Sequence, residues 1–224
     1  MKKALLLSTL LFAGAANADF LGVTAEAGAF SPDVSDAKYA THGNVSSPMD
    51  LDGKTGAYFG IALDHPIPLI PNIRLQHVSL KADGSMGSAP AKLDLSNTDY
   101  TLYYRFLDGL FWLDFDAGVS LRKIDGSATI SGSKHDLSDT QPLGYVSAFV
   151  TLPGTSLSFG GEVKAGGYGG TSITDTTLKV KYETPFFVGL EGGYRAISMD
   201  LNDIDNRDVK ADFKGAFIGA FVHF

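Results

Sequence analysis

Three stretches of this 224-residue chain hold residues of the types that do chemistry, close enough in sequence to meet. His77 and Ser79 stand two apart and share a face of any extended strand. A histidine there can take the serine proton and leave the hydroxyl oxygen as a nucleophile. Such a dyad also needs a carboxylate to orient the imidazole, and no acid follows at a fitting spacing. Ile73 and Leu75 lie on the same face, which points the pair toward lipid or headgroups. Asp200, Asp203, Asp205 and Asp208 offer hard oxygen ligands for Ca²⁺, or a paired-aspartate protease site. DIDNRD lacks the glycine and closing glutamate of an EF-hand loop, so a solvated acidic loop is the reading, with weak divalent bridging as the hypothesis to test. Gly166 to Gly170, GGYGG, lacks the Lys-Ser/Thr ending and the helix of a phosphate loop and reads as a strand end and turn. No catalytic residue, cofactor or metal is assigned, and the chain is read as not an enzyme.

What remains is a set of charges spaced through apolar runs: Glu26, Arg74, Arg105, Asp114, Asp116, Arg122, Glu162, Lys164, Lys179, Lys181, Glu191 and Arg195. Their meaning depends on the elements that carry them. The clearest run is FWLDFDAGVSLR, residues 111–122. Phe111, Leu113, Phe115, Ala117, Val119 and Leu121 form one apolar face, and Asp114, Asp116 and Arg122 fall on the other. Similar runs at 20–30, 54–64, 72–81, 98–107, 143–152, 156–168, 176–184, 187–198 and 209–224 make ten strands, with eight or twelve as the neighbouring even counts. Most have the ~9–11 residues that a tilted membrane-crossing strand requires. The connections 31–53, 82–97, 124–142, 169–175 and 199–208 are mostly long and polar, whereas 65–71, 108–110, 153–155 and 185–186 are mostly short. Long loops on one side and tight turns on the other predict an antiparallel up-and-down transmembrane β-barrel with the long loops outside the cell.

A soluble barrel would point its apolar faces inward. Here the charged faces carry both signs, and an Arg or Lys at the lipid midplane costs about 2–4 kcal/mol. The twelve charges are therefore expected inside, as an ion-pair network filling the lumen, with a selectivity path as the other reading. Tyr100, Tyr104, Phe106, Phe111, Tyr182, Tyr194 and Phe224 are expected outside, near the interfaces.

The rest of the chain agrees. MKKALLLSTLLFAGAANA has a basic start, a short apolar core and an Ala16-Asn17-Ala18 cleavage site, so residues 1–18 read as a cleaved secretory signal and 19–224 as one barrel domain. Cysteine is absent, which excludes disulfides and thiolate chemistry. The formal charge of −7 argues against nucleic acid. The last residues, KGAFIGAFVHF, put Ile218, Ala220, Val222 and Phe224 on one apolar face. A terminal phenylalanine on such a face is similar to the signal read by the outer-membrane barrel-assembly machinery.

DHPIPLIPNIRLQ (64–76), LDLSNTDYTLYYRFLD (93–108), LRKIDG (121–126), GYRAISMDLNDID (193–205) and DFKGAFIGAFVHF (212–224) resemble a family of small outer-membrane β-barrel proteins of γ-proteobacteria with no settled activity. The resemblance implies fold and a Gram-negative outer-membrane location, and carries over no catalytic residue. The expected role is structural or interactive at the cell surface through the long loops, as a monomer whose partners are outer-membrane lipids and lipopolysaccharide. A small passive pore is the alternative, and a lipid A-modifying or proteolytic barrel enzyme a third.

Overall fold

The computed structural model describes residues 22–67, 69–106 and 112–224. The signal segment, the strand start at Phe20, the turn 108–110 and Phe111 lie outside the described residues. The strands are β1 (Gly22–Thr41), β2 (Ser47–Pro48), β3 (Asp50–Lys54), β4 (Gly56–Asp64), β5 (Asn72–Val78), β6 (Lys81–Met86) and β7 (Ala89–Asp94). They continue with β8 (Asn97–Phe106), β9 (Leu113–Ile130), β10 (Ser133–Thr151), β11 (Leu157–Gly166), β12 (Ser172–Glu183), β13 (Val188–Ile204) and β14 (Arg207–His223).

Ten of these close into a ring, β1-β4-β5-β8-β9-β10-β11-β12-β13-β14 and back to β1, antiparallel throughout. The closing seam runs from Thr24↔His223 to Thr41↔Arg207, interrupted by one bulge between Ser35 and Lys38. Closure leaves the ring without an unpaired edge. The short strands extend three staves upward. β3 is separated from β4 by Thr55 alone, β6 from β5 by Ser79 and Leu80, and β7 from β8 by Leu95 and Ser96. Backbone bonds Ser79 N–H to Ala57 (3.0 Å), Leu95 N–H to Leu80 (2.8 Å) and Asp125 N–H to Ser96 (3.1 Å) carry the ladder through these breaks.

The long connections differ from the sequence expectation. Much of 31–53, 82–97, 124–142 and 199–208 is strand. On β9 the outward positions run Leu113, Phe115, Ala117, Val119, Leu121 and then Lys123, Asp125, Ser127, Thr129. The inward ones run Asp114, Asp116, Gly118, Ser120, Arg122 and then Ile124, Gly126, Ala128, Ile130. Alternation continues past Arg122 with its sign reversed, so a half-buried strand reads as a polar loop. Its outward charges are those of a soluble surface. On β14 the same reversal separates outward Ala216, Ile218, Ala220 and Val222 from Lys214, Asp212 and Lys210.

The barrel therefore has two halves. Toward the turns, apolar side chains face out, among them Phe59, Ile61, Leu102, Val119, Leu178 and Ile218. The outward apolar stretch of β9 spans nine residues, and at ~3.3 Å per residue and ~40° tilt it is about 23 Å tall, close to the ~25 Å of a membrane barrel's apolar band. Beyond that band the interior becomes a hydrophobic core. Leu80, Leu95, Ile124, Leu137, Ile173, Ile197, Met199, Leu201 and Phe213 are fully buried there.

Close approach decides a few positions. A Cβ on Gly118 would lie 2.0 Å from the Leu102 carbonyl oxygen, so no side chain fits there without moving β8. At the β13–β14 hairpin, Asp205 and Asn206 have φ of 48° and 62°, the left-handed pair of a tight hairpin turn, which these two residue types tolerate.

Candidate functional site

Below the apolar core, the lumen holds a layer of charged side chains. Arg122 on β9 is fully buried and forks onto Asp99 of β8, with Nε–Oδ1 and Nη2–Oδ2 both 2.7 Å. Its Nη2 also meets Asp175 of β12 at 2.5 Å. Arg195 of β13 holds the same Asp175 at 2.9 and 2.7 Å, and Lys164 of β11 donates to Asp99 and to the Gln76 side chain, each at 2.6 Å. A second group lies one layer nearer the turns. Arg74 of β5 bonds Glu26 (2.9 Å) and Glu162 (3.1 Å), and Lys179 of β12 reaches Glu26 (3.1 Å) and Glu191 (2.9 Å). Tyr58 donates to the other oxygen of Glu191 at 2.6 Å.

The two groups balance. Glu26, Asp99, Glu162, Asp175 and Glu191 face Arg74, Arg122, Lys164, Lys179 and Arg195. Charges withdrawn from water are tolerated only when paired and hydrogen-bonded, and mutual contact meets that requirement here except at Arg122 Nη1, which has no hydrogen-bond partner. A void of about 30 Å³ remains beside Glu26, Tyr58 and Lys179, room for a single water.

Nearer the turns the lumen opens into a vestibule of about 250 Å³. Arg105 bridges Asp64 (3.2 Å) and Asp116 (3.4 Å) there, and Tyr103 donates to Asp64 at 2.6 Å. Asp114 lines the same space and is exposed. The Lys181 ammonium sits 4.4 Å from the centre of the Phe149 ring and 5.8 Å from that of Phe221. All twelve charges singled out in the sequence thus line the lumen, eight of them in the two paired groups and four, Arg105, Asp114, Asp116 and Lys181, in the vestibule. Sequence reading missed Asp64, Asp99 and Asp175. Asp99 shares the parity of Arg105 within its own run, so period two would have found it. Asp175 fell in a connection because β12 begins at Ser172, earlier than its apolar pattern does.

His77 and Ser79 form no dyad. The His77 ring faces outward, stacked on Phe59 at 4.9 Å, and its Nδ1 pairs with the Thr98 hydroxyl at 3.0 Å. Ser79 sits in the break between β5 and β6 and gives its amide to Ala57. The acidic cluster is hairpin chemistry. Asp205 accepts the Ser138 amide (2.9 Å), Asp208 accepts the Asp203 amide (2.9 Å), and Asp200 faces outward on β13. Among the described residues no three acidic or histidine side chains converge as metal ligands. The Gly166–Gly170 stretch is the β11–β12 turn, with φ of 66° at Gly169 and 91° at Gly170.

At the far rim, His42 Nδ1 lies 2.7 Å from Asp208 Oδ1. This bond, with Asp203 nearby, holds His42 above its ordinary value of 6.5. Burial pushes Asp208 up, but the Asp203 amide and His42 outweigh it and hold Asp208 below the ordinary 3.8. The His42 contribution to stability is complete below about pH 6.5 and is lost as pH rises through its raised folded value. The Asp208 contribution is present above about pH 3.8 and is lost as pH falls through its depressed value. The contact is strongest between those limits. Asp208→Asn should bring the His42 midpoint back toward 6.5, read from the imidazole resonances in detergent micelles. An unchanged midpoint would mean that Asp208 does not set it.

The chain matches no protein-family model and no curated protein. Among solved structures it is similar to Neisserial surface protein A (17% identity, 91% of this chain and 97% of that one, TM-score 0.37). It is also similar to the outer membrane protease OmpT of Escherichia coli (13%, 92% and 97%, TM-score 0.49). A third is an outer membrane channel of Pseudomonas putida F1 (12%, 92% and 96%, TM-score 0.41). At these identities the likeness is one of barrel architecture.

Proposed function

We propose that this protein is an integral outer-membrane barrel of a Gram-negative cell, exported by its N-terminal signal. Its role is structural or surface-interactive, carried by the half that stands clear of the bilayer. The observation behind this reading is the reversal of polarity along the staves. A band of outward Leu, Ile, Val and Phe about as tall as a bilayer's hydrocarbon is followed by an outward surface of Lys, Asp, Ser and Thr over a dry core. Such a half-and-half exterior fits a barrel seated in lipid and protruding from it. The outward Ile218, Ala220 and Val222 of the closing strand, with Phe224 after it, support a role as the segment read by the barrel-assembly machinery. The barrel works as a monomer without a cofactor, and its lumen charges serve one another and no substrate.

The same interior argues against a conducting path, because a permeating ion would have to cross both the paired layer and the apolar core. Reconstituted in planar bilayers, the protein should be silent at moderate voltage. Stable discrete steps would replace this reading with the pore. Cell fractionation with heat-modifiable gel mobility tests the premise, and recovery of the mature chain as a detergent-free soluble protein would refute it.

A further inference from the structure

We infer that the outer face of the β3–β6 pair just above the apolar band is a binding site for a phosphorylated lipid headgroup of the outer leaflet, centred on Lys54 and Lys81. This rests on the membrane seating proposed above. Lys54 and Lys81 are direct cross-strand partners in the β3–β6 ladder. Like charges placed opposite one another destabilise a strand pair, so something must offset the repulsion. The protein does so only in part. Lys54 lies 3.8 Å from Asp83 and Lys81 lies 3.5 Å from Asp94, both longer than the ~2.7–2.9 Å of a good charge-assisted hydrogen bond. Both ammonium arms are more than half exposed, at 54% and 58%. Beyond β6 the row passes through Asp94 of β7 to Ser127 of β9, and Lys123, four residues nearer the band, is already held by Asp125 at 2.9 Å.

The position selects the partner. Outward below Lys54 come Ala57, Phe59, Ile61 and Leu63, and outward below Lys81 come His77, Leu75 and Ile73. A molecule spanning both levels needs hydrocarbon beneath and negative charge above. The staves break at this level, at Thr55, Ser79–Leu80 and Leu95–Ser96.

The test uses the full mature protein in detergent, titrated by native mass spectrometry with bisphosphorylated lipid A, the same lipid A stripped of phosphate, and phosphatidylethanolamine. We expect at least tenfold tighter retention of the bisphosphorylated form. In the variant Lys54→Gln with Lys81→Gln, that preference should fall to about twofold, whereas Lys134→Gln at the distal β9–β10 hairpin should leave it unchanged. Equal retention of phosphorylated and stripped lipid by the unmodified protein would overturn the assignment, as would an unaltered preference in the double variant. Full displacement by millimolar inorganic phosphate would also overturn it, because the site would then be one for the free ion. Unaltered heat-modifiable mobility in the double variant separates loss of this site from failure of the membrane reading itself.

Discussion

Replacing Arg122 with methionine should destabilise the barrel by about 3–5 kcal/mol, the cost of removing one partner from a buried ion pair. Arg122 is fully buried, and its guanidinium ties Asp99 of β8 to Asp175 of β12 across the lumen. Without it, two buried carboxylates remain with only Lys164 and Arg195 to balance them. Methionine restores volume but donates nothing. Urea unfolding in micelles, followed by gel mobility, gives the number. Arg122→Met combined with Asp99→Asn should cost less than Arg122→Met alone, since one unbalanced charge leaves with the other. A single-variant loss under about 1 kcal/mol would show that the charged layer is not what holds the staves together.

The second large effect separates the two halves of the exterior. Leu102→Arg places a charge between Ile73 and Val119 on the outward face of the band. It should cost about 2–4 kcal/mol if that face meets hydrocarbon. Ser127→Arg, also outward but beyond the band and between Asp94 and Asp136, should change stability by no more than about 0.5 kcal/mol. Equal costs at the two positions would contradict a membrane seated on the lower half alone.

The ten staves and their alternating faces were legible because a period of two depends on local sequence and shows whichever way the faces point. The apolar face of β9 up to Leu121 and that of β14 up to Phe224 read directly. The upper staves were not legible. In Lys123-Ile124-Asp125-Gly126-Ser127-Ala128 the period persists, but small residues and outward charges lower its contrast to that of a loop. The lumen clusters were half legible. A sequence shows which charges share a face, and that gathered twelve residues, but it does not show who meets whom across the lumen. Arg122 and Asp175 are 53 residues apart, and Lys179 and Glu26 are 153 apart. Asp205, read as part of a solvated acidic loop, sits in a left-handed hairpin turn and accepts the Ser138 amide of β10, a long-range contact that local sequence does not reveal.

The reversal of polarity has a consequence for assembly. The β9–β10 hairpin carries Lys123, Asp125, Lys134 and Asp136 on its outer surface beyond the band, and its tip must be delivered through the hydrocarbon to reach the far side. Each charged side chain raises the barrier at the midplane by up to about 2–4 kcal/mol, and the oily inner face has no core to join until neighbouring hairpins arrive. Spontaneous entry into an intact bilayer is thus opposed by the same features that make the finished protrusion soluble on its outside. A catalyst that thins or parts the lipid would govern how fast this chain reaches its native state.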